Sequence, residues 1–169
     1  MRIEREMIFG LSGIAFSIAL MSAVVLATVY ASQYWGGLSP CPLCLYQRLP
    51  WWIALGLGIF ALWAVPRQAL CRFAIGACGV VLLAGGVLAV YHVGVEQHWW
   101  RGPTSCAAAS TPASLEELKA QIMATTVAFC DQIPWSMLGI SMAGYNAISS
   151  FVVGVASLFV VWPLQRSGN

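Results

Sequence analysis

Two cysteines three positions apart, Cys41 and Cys44, stand in the stretch "SPCPLCLYQRLPWW" (Ser39 to Trp52), with Arg48 four residues past the second. A Cys-x-x-Cys pair can close a disulfide, and it can also hold one of its sulfurs as a reactive thiolate. As a staple it is weak. Chain entropy assigns so short a loop ~2 kcal/mol, against about 3.5 kcal/mol for a loop as long as the one between Cys106 and Cys130. The short bridge is better suited to opening and closing. If a helix starts at or near Cys44, its free N–H groups and dipole favour an anion on that sulfur. Arg48 then lies one turn on and on the same face, where it can stabilise a Cys44 thiolate or an anionic acceptor beside it. The plainer reading of Arg48 is a charge snorkelling to a membrane interface. Pro50 has no N–H for the Tyr46 carbonyl, which leaves the first turn of that helix open to irregularity.

The remaining cysteines are Cys71, Cys78, Cys106 and Cys130. Cys71 and Cys78 fall at or inside an apolar run, where a free cysteine behaves as a small apolar residue. A four-thiolate zinc site built from Cys41, Cys44, Cys106 and Cys130 is disfavoured. Such sites usually use two closely spaced pairs, and here one pair is close while the other is 24 positions apart.

These residues must be positioned by a very hydrophobic chain, 60% apolar and 8% charged over 169 residues. Soluble domains carry roughly 25% charge, so a water-soluble globule is close to excluded, and a net charge of +2 gives no argument for nucleic acid. Four segments lack charge over a span-worthy length: Met7–Tyr30, Leu49–Val65, Phe73–Val95 and Ser141–Trp162. The first would be about 36 Å long as a helix, enough for a hydrocarbon core of ~30 Å. Its apolar run is too long for a signal peptide. The second is short unless it borrows Cys44–Arg48. Backbone groups in lipid need internal partners, so the chain is expected to be a single all-α domain. It would be a bundle of four transmembrane helices over about 7–30, 45–65, 71–95 and 141–162, with outward loops at about 31–44 and 96–140.

Arg2, Arg5, Arg67, Arg72 and Arg166 fall on one side of this layout; Arg48, Arg101 and Lys119 fall on the other. The positive-inside rule then gives both termini inside. Cys41, Cys44, Cys106 and Cys130 face the outer compartment, where disulfides persist, while Cys71 and Cys78 face the reducing side or lipid. In the second loop, "SLEELKAQIMATTVAF" is expected to form a short helix, with Ser114 and Glu117 at capping-box spacing. Leu115, Leu118, Ile122 and Phe129 line one face, which would lie on the bilayer surface or pack on the outer end of the bundle. Trp99, Trp100 and Trp135, with Tyr34, Trp35, Trp51 and Trp52, are expected in aromatic belts at the membrane surface.

Together these features resemble the DsbB family, bacterial inner-membrane enzymes that reoxidise the periplasmic thiol oxidase DsbA with quinone. The resemblance covers nearly the whole chain. It is carried by four helices, the inward N-terminus, "CPLCLYQR" in the first outward loop, a cysteine pair in the second, and "CDQIPWSMLGI" before the last helix. It implies a multi-pass inner-membrane protein with a periplasmic active site, whose partners are a DsbA-like oxidase, a ubiquinone or menaquinone, and the bilayer, with no nucleic acid. It further implies that Cys106–Cys130 meets reduced DsbA, with Cys106 taking the mixed disulfide. Cys130 then attacks toward Cys41, and Cys44, as a thiolate, passes electrons to quinone. Arg48 matches the family's quinone-site arginine.

The family also has a histidine at the outer end of the third helix, for which His92 and His98 are candidates. His92 still lies in the apolar run, and an intramembrane ionisable group is a functional suspect; its plain alternative is a histidine hydrogen-bonded across helices. The family often has an acid before the arginine, where this chain has Gln47. Competing readings are a DsbI-like oxidase of restricted substrates and a non-catalytic membrane protein with two structural disulfides. A vitamin-K-epoxide-reductase-like protein would carry its Cys-x-x-Cys near the last helix, where this chain has none.

Overall fold

A computed structural model describes residues 2–103, 106, 114–116, 119 and 128–166. Its helices include α1 (Arg2–Tyr34), α2 (Pro42–Tyr46), α3 (Arg48–Trp63), α4 (Gln68–Glu96) and α5 (Met142–Arg166). A hairpin of β1 (Ser136–Met137) and β2 (Ile140–Ser141) precedes α5. Among the described residues, four spans are long and apolar enough to cross a membrane: Gly10–Tyr34, Pro42–Trp63, Gln68–Glu96 and Met142–Val161. The chain is thus a four-helix membrane bundle. Its exposed surface agrees, because large apolar side chains such as Phe16, Leu20, Phe73, Val80 and Phe159 point outward, where lipid takes the place of a protein core.

The second span departs from the single helix expected over 45–65. It starts earlier, breaks at Gln47 and ends at Trp63. Cys41 caps α2, its Sγ accepting the Cys44 N–H at 3.1 Å, with Pro42 in the first helical position, which needs no N–H. Gln47 closes α2 by donating its N–H to the Leu43 carbonyl at 3.1 Å, and its φ of −69° and ψ of −15° keep the chain heading into α3. The break sits where Pro50 would leave the Tyr46 carbonyl without its helical donor. The other helices run past their expected ends, α1 to Arg2 and Tyr34 and α5 to Arg166. At the start of α1 the added residues include Arg2, Glu4, Arg5 and Glu6, charged residues with good helix propensity.

Small residues bring the helices together, as is common between membrane helices. A Cβ at Gly79 would lie 2.8 Å from Leu158 Cγ and 3.0 Å from the Gly154 carbonyl oxygen, which seats α4 directly on α5. A Cβ at Gly85 would lie 2.8 Å from the Pro50 ring, so the proline that interrupts the second span packs on α4 at a glycine. Cys71 and Cys78 are fully buried among Ala54, Ala74, Ile75 and Leu82, as small apolar residues would be.

Two further expectations change. Trp51 does not belong to an aromatic belt: it is 2% exposed, and its indole N–H donates to Asn146 Oδ1 at 2.7 Å. Tyr34, Trp35, Trp52, Trp99, Trp100 and Trp135 are exposed. The hairpin was not anticipated in an all-α chain. Leu138 and Gly139 take φ of 53° and 78°, the left-handed pair of a type I′ two-residue hairpin turn. Of the helix expected near Ser114, the positions Glu117, Leu118 and Ile122 lie outside the described residues; Leu115, Glu116 and Lys119 are helical.

Candidate active site

The cap that starts α2 also creates the reactive pair. Because Cys41 is the cap and Cys44 lies in the first turn, their sulfurs meet at 2.6 Å. Cys41 is buried and Cys44 half-buried. The Cys41 thiol is pushed above the ordinary cysteine range, first by its hydrogen bond with Cys44 Sγ and then by burial. Of the two sulfurs, Cys41 therefore keeps the proton.

His92 and His98 separate clearly. His92, 3% exposed, places Nε2 3.6 Å from Cys41 Sγ and Nδ1 2.6 Å from Gln47 Nε2. His98 lies in the turn after α4 with φ of 59°, its Nδ1 3.1 Å from the Glu96 carbonyl oxygen.

Arg48 is not a direct partner of Cys44 in this arrangement. The break at Gln47 falls between them, and Arg48 Nη1 donates to Gln33 Oε1 on α1 at 2.8 Å. Its guanidinium also covers the Tyr30 ring, 4.8 Å from the centroid. Arg48 and Cys44 nevertheless share a wall of one cavity, of about 760 Å³, that opens among α1, the second span, α4 and α5. His92, Gln47, Trp51 and Asn146 line it as well, and most of the lining is apolar. That volume is in the range that holds a ligand of moderate size.

Cys106 and Cys130 form a disulfide with a Cα–Cα distance of 5.3 Å. The disulfide packs in one apolar cluster with Cys41, Leu43 and Val95, so the two pairs meet although they come from different loops. Cys106 is 8% exposed and Cys130 fully buried. The Cys41 and Cys44 sulfurs and a His92 ring nitrogen lie within 4.8 Å of one another, a grouping that could hold a soft cation if that nitrogen offered a lone pair.

Three residues of the site escaped the sequence reading. The sequence puts Glu96 at the start of the loop, but it ends α4 with 5% exposure, lines the cavity and accepts a hydrogen bond from Ser141 Oγ at 2.5 Å. Its signal was present, an acid one turn past His92 on the same helix face. Asn146 lies inside the fourth apolar run, where a polar side chain is expensive without a partner. It donates to Gln47 Oε1 at 2.6 Å and accepts from Trp51. Gln33, on α1, holds Arg48 by accepting a hydrogen bond from its Nη1 at 2.8 Å.

A family model described as disulfide bond formation protein DsbB matches residues 12–160. The chain belongs to the DsbB family. Among relatives named disulfide bond formation protein B, that of Methylococcus capsulatus is 29% identical over 157 residues, 87% of this chain and 92% of the relative. That of Stutzerimonas stutzeri is 28% identical over 159 residues, 89% and 93% of the two chains. That of a Shewanella species is 29% identical over 153 residues, 88% and 86%. The DsbB match spans all four membrane helices and both cysteine pairs, so the site described above lies within the shared region.

Proposed function

We propose that this protein is a membrane thiol:quinone oxidoreductase that reoxidises a DsbA-like periplasmic dithiol. Both termini lie inside, and the two cysteine pairs face the periplasm of a bacterial inner membrane. The observation that carries this reading is the meeting of two cysteine pairs in one buried cluster, with Cys44 on the wall of an apolar cavity. A relay needs both features: one pair that a soluble protein reaches, and a second that touches a lipid-soluble acceptor.

The thiol steps follow from exposure and capping. A partner thiolate attacks Cys106, the more exposed sulfur of its pair; the partner–Cys106 bond forms, the Cys106–Cys130 bond breaks, and Cys130 takes the electron pair. The Cys130 thiolate attacks Cys41 of a closed Cys41–Cys44 disulfide. A Cys41–Cys130 bond forms, and Cys44 leaves as a thiolate at the start of α2, where free N–H groups favour an anion. The cavity suits a quinone ring: its walls are mainly apolar, and Arg48, Gln47 and His92 supply a few polar groups. When the Cys41–Cys44 disulfide closes again, its two thiols would supply the two electrons and two protons that turn a quinone into quinol. Arg48 would hold negative charge at the cavity wall, and the apolar walls exclude water from Cys44.

The test is turnover by purified protein with a reduced DsbA-like dithiol and a soluble quinone analogue. Thiol-dependent quinone reduction is expected, and Cys41→Ser or Cys44→Ser should abolish it. Unchanged turnover in either variant contradicts the reading.

A further inference from the structure

A chain of hydrogen bonds has a direction when one end can only donate. Trp51 supplies such an end, since an indole N–H donates and cannot accept. It lies 2.7 Å from Asn146 Oδ1, so the amide nitrogen of Asn146 faces the other way, 2.6 Å from Gln47 Oε1. That leaves the Gln47 nitrogen 2.6 Å from His92 Nδ1, and Nδ1 accepts. Turning either amide over would set donor against donor, so the indole fixes the direction. A neutral imidazole with an accepting Nδ1 carries its proton on Nε2, the atom facing Cys41 Sγ at 3.6 Å. Trp51, Gln47 and His92 are all buried. The Cys44 N–H also reaches Cys41 Sγ, at 3.1 Å, so two N–H groups converge on one sulfur.

We propose that Trp51, Asn146 and Gln47 hold His92 as its Nε2–H form, and that this N–H serves the Cys41 sulfur as it departs in thiol exchange. The inference rests on the thiol relay proposed above. In the return step, the Cys106 thiolate freed by the partner's second thiol attacks Cys130 of the Cys41–Cys130 bridge. The Cys106–Cys130 bond forms, the bridge breaks, and the electron pair goes to Cys41 Sγ between its two N–H donors. His92 then touches a reacting sulfur, while Trp51, Asn146 and Gln47 are positioning residues. Gln47 stands where the family often has an acid. A carboxylate there would accept from Nδ1 and remove the fixed direction. The same protonation leaves Nε2 with no in-plane lone pair for the cluster of Cys41, Cys44 and His92, so in this tautomer that nitrogen offers no metal ligand.

The experiment uses the full chain in lipid nanodiscs with Cys106–Cys130 oxidised. The protein has 2 histidines, so His98→Gln leaves His92 as the single imidazole for nitrogen-15 spectroscopy, which reads the protonated ring nitrogen. Nε2–H is expected, and an Nδ1–H form overturns the proposal. Asn146→Asp supplies an acceptor-only side chain, which turns Gln47 over and moves the proton to Nδ1. In a Cys44→Ser background, alkylation of Cys41 should then slow at least about tenfold, the effect of losing one hydrogen bond to a charged group. A reversed tautomer with an unchanged Cys41 rate overturns the proposal. If Asn146→Asp does not fold, His92→Gln and His92→Phe replace it. Gln offers an amide N–H and should stay within about threefold of the parent rate, whereas Phe should be about tenfold slower; equal rates for the two overturn the proposal. No arm uses quinone or a partner protein, so failure here is distinguishable from failure of the thiol:quinone reading.

Discussion

Removing the support behind Arg48 should change quinone use and leave the partner step alone. Arg48 has two contacts, a hydrogen bond to Gln33 Oε1 at 2.8 Å and the Tyr30 ring at 4.8 Å. A hydrogen bond to a charged group contributes about 1.5–3 kcal/mol, and a cation over an aromatic ring adds about 0.5–1 kcal/mol at a partly exposed site. Gln33→Leu removes the larger contact and leaves the charge and the ring, so the guanidinium is held less firmly at the cavity wall. At about 1.4 kcal/mol per factor of ten, the quinone KM should rise about tenfold. Arg48→Ala removes the charge as well and should raise it about a hundredfold or more. The assay is steady-state quinone reduction, with quinone varied at saturating partner dithiol and then partner varied at saturating quinone. The partner KM should stay within about twofold in both variants. A normal quinone KM in Arg48→Ala, or a matching rise in the partner KM, refutes the reasoning. A neutral Gln33→Leu beside a damaged Arg48→Ala would show that the α1 contact does not position the guanidinium.

Cys130→Ser should trap a mixed disulfide between Cys106 and the partner, visible on a non-reducing gel; trapping through another cysteine would reverse the assigned order. Gly85→Leu drives a side chain into the Pro50 ring, which a Cβ would already approach to 2.8 Å. Overpacking of this kind costs about 1–3 kcal/mol, so thermal unfolding should begin lower, and an unchanged midpoint would show that the Pro50 contact yields freely. The reduced protein should also lose stability in base. Cys41 is held above the ordinary thiol range by Cys44 and by burial, so its contribution is full below an unfolded cysteine pKa of about 8.5 and declines above it. Protein with Cys41–Cys44 oxidised has no such proton to lose, so the gap between the two midpoints should widen above about pH 8.5; a constant gap contradicts the assignment.

The four spans were legible because lipid imposes a strong compositional rule, and the partition of the cysteines between the loops and the third helix followed from it. The break at Gln47 was half legible. Pro50 announced an irregular turn, but not the seating of its ring against Gly85, a contact between residues far apart in sequence. Glu96 was misread because a charge at the end of an apolar run looks like the start of a loop; Ser141, 45 positions away, is what lets it stay buried. Trp51 and Trp52 look alike in sequence, yet one turns inward to Asn146 and the other faces out. Asn146 itself was visible as an isolated amide in an apolar run, but its partners come from another helix. The cavity belongs to no single segment, since four spans each contribute a wall.

The central claim is that Cys44 delivers electrons from the Cys41–Cys44 pair to quinone. It is tested most directly by mixing fully reduced protein anaerobically with a soluble quinone, without any partner, and counting quinol in the first turnover. The account predicts quinol forming as the Cys41–Cys44 disulfide closes, and none from Cys44→Ser. Quinol from Cys44→Ser at the parent rate, or a closed Cys41–Cys44 disulfide with no quinol formed, would contradict it.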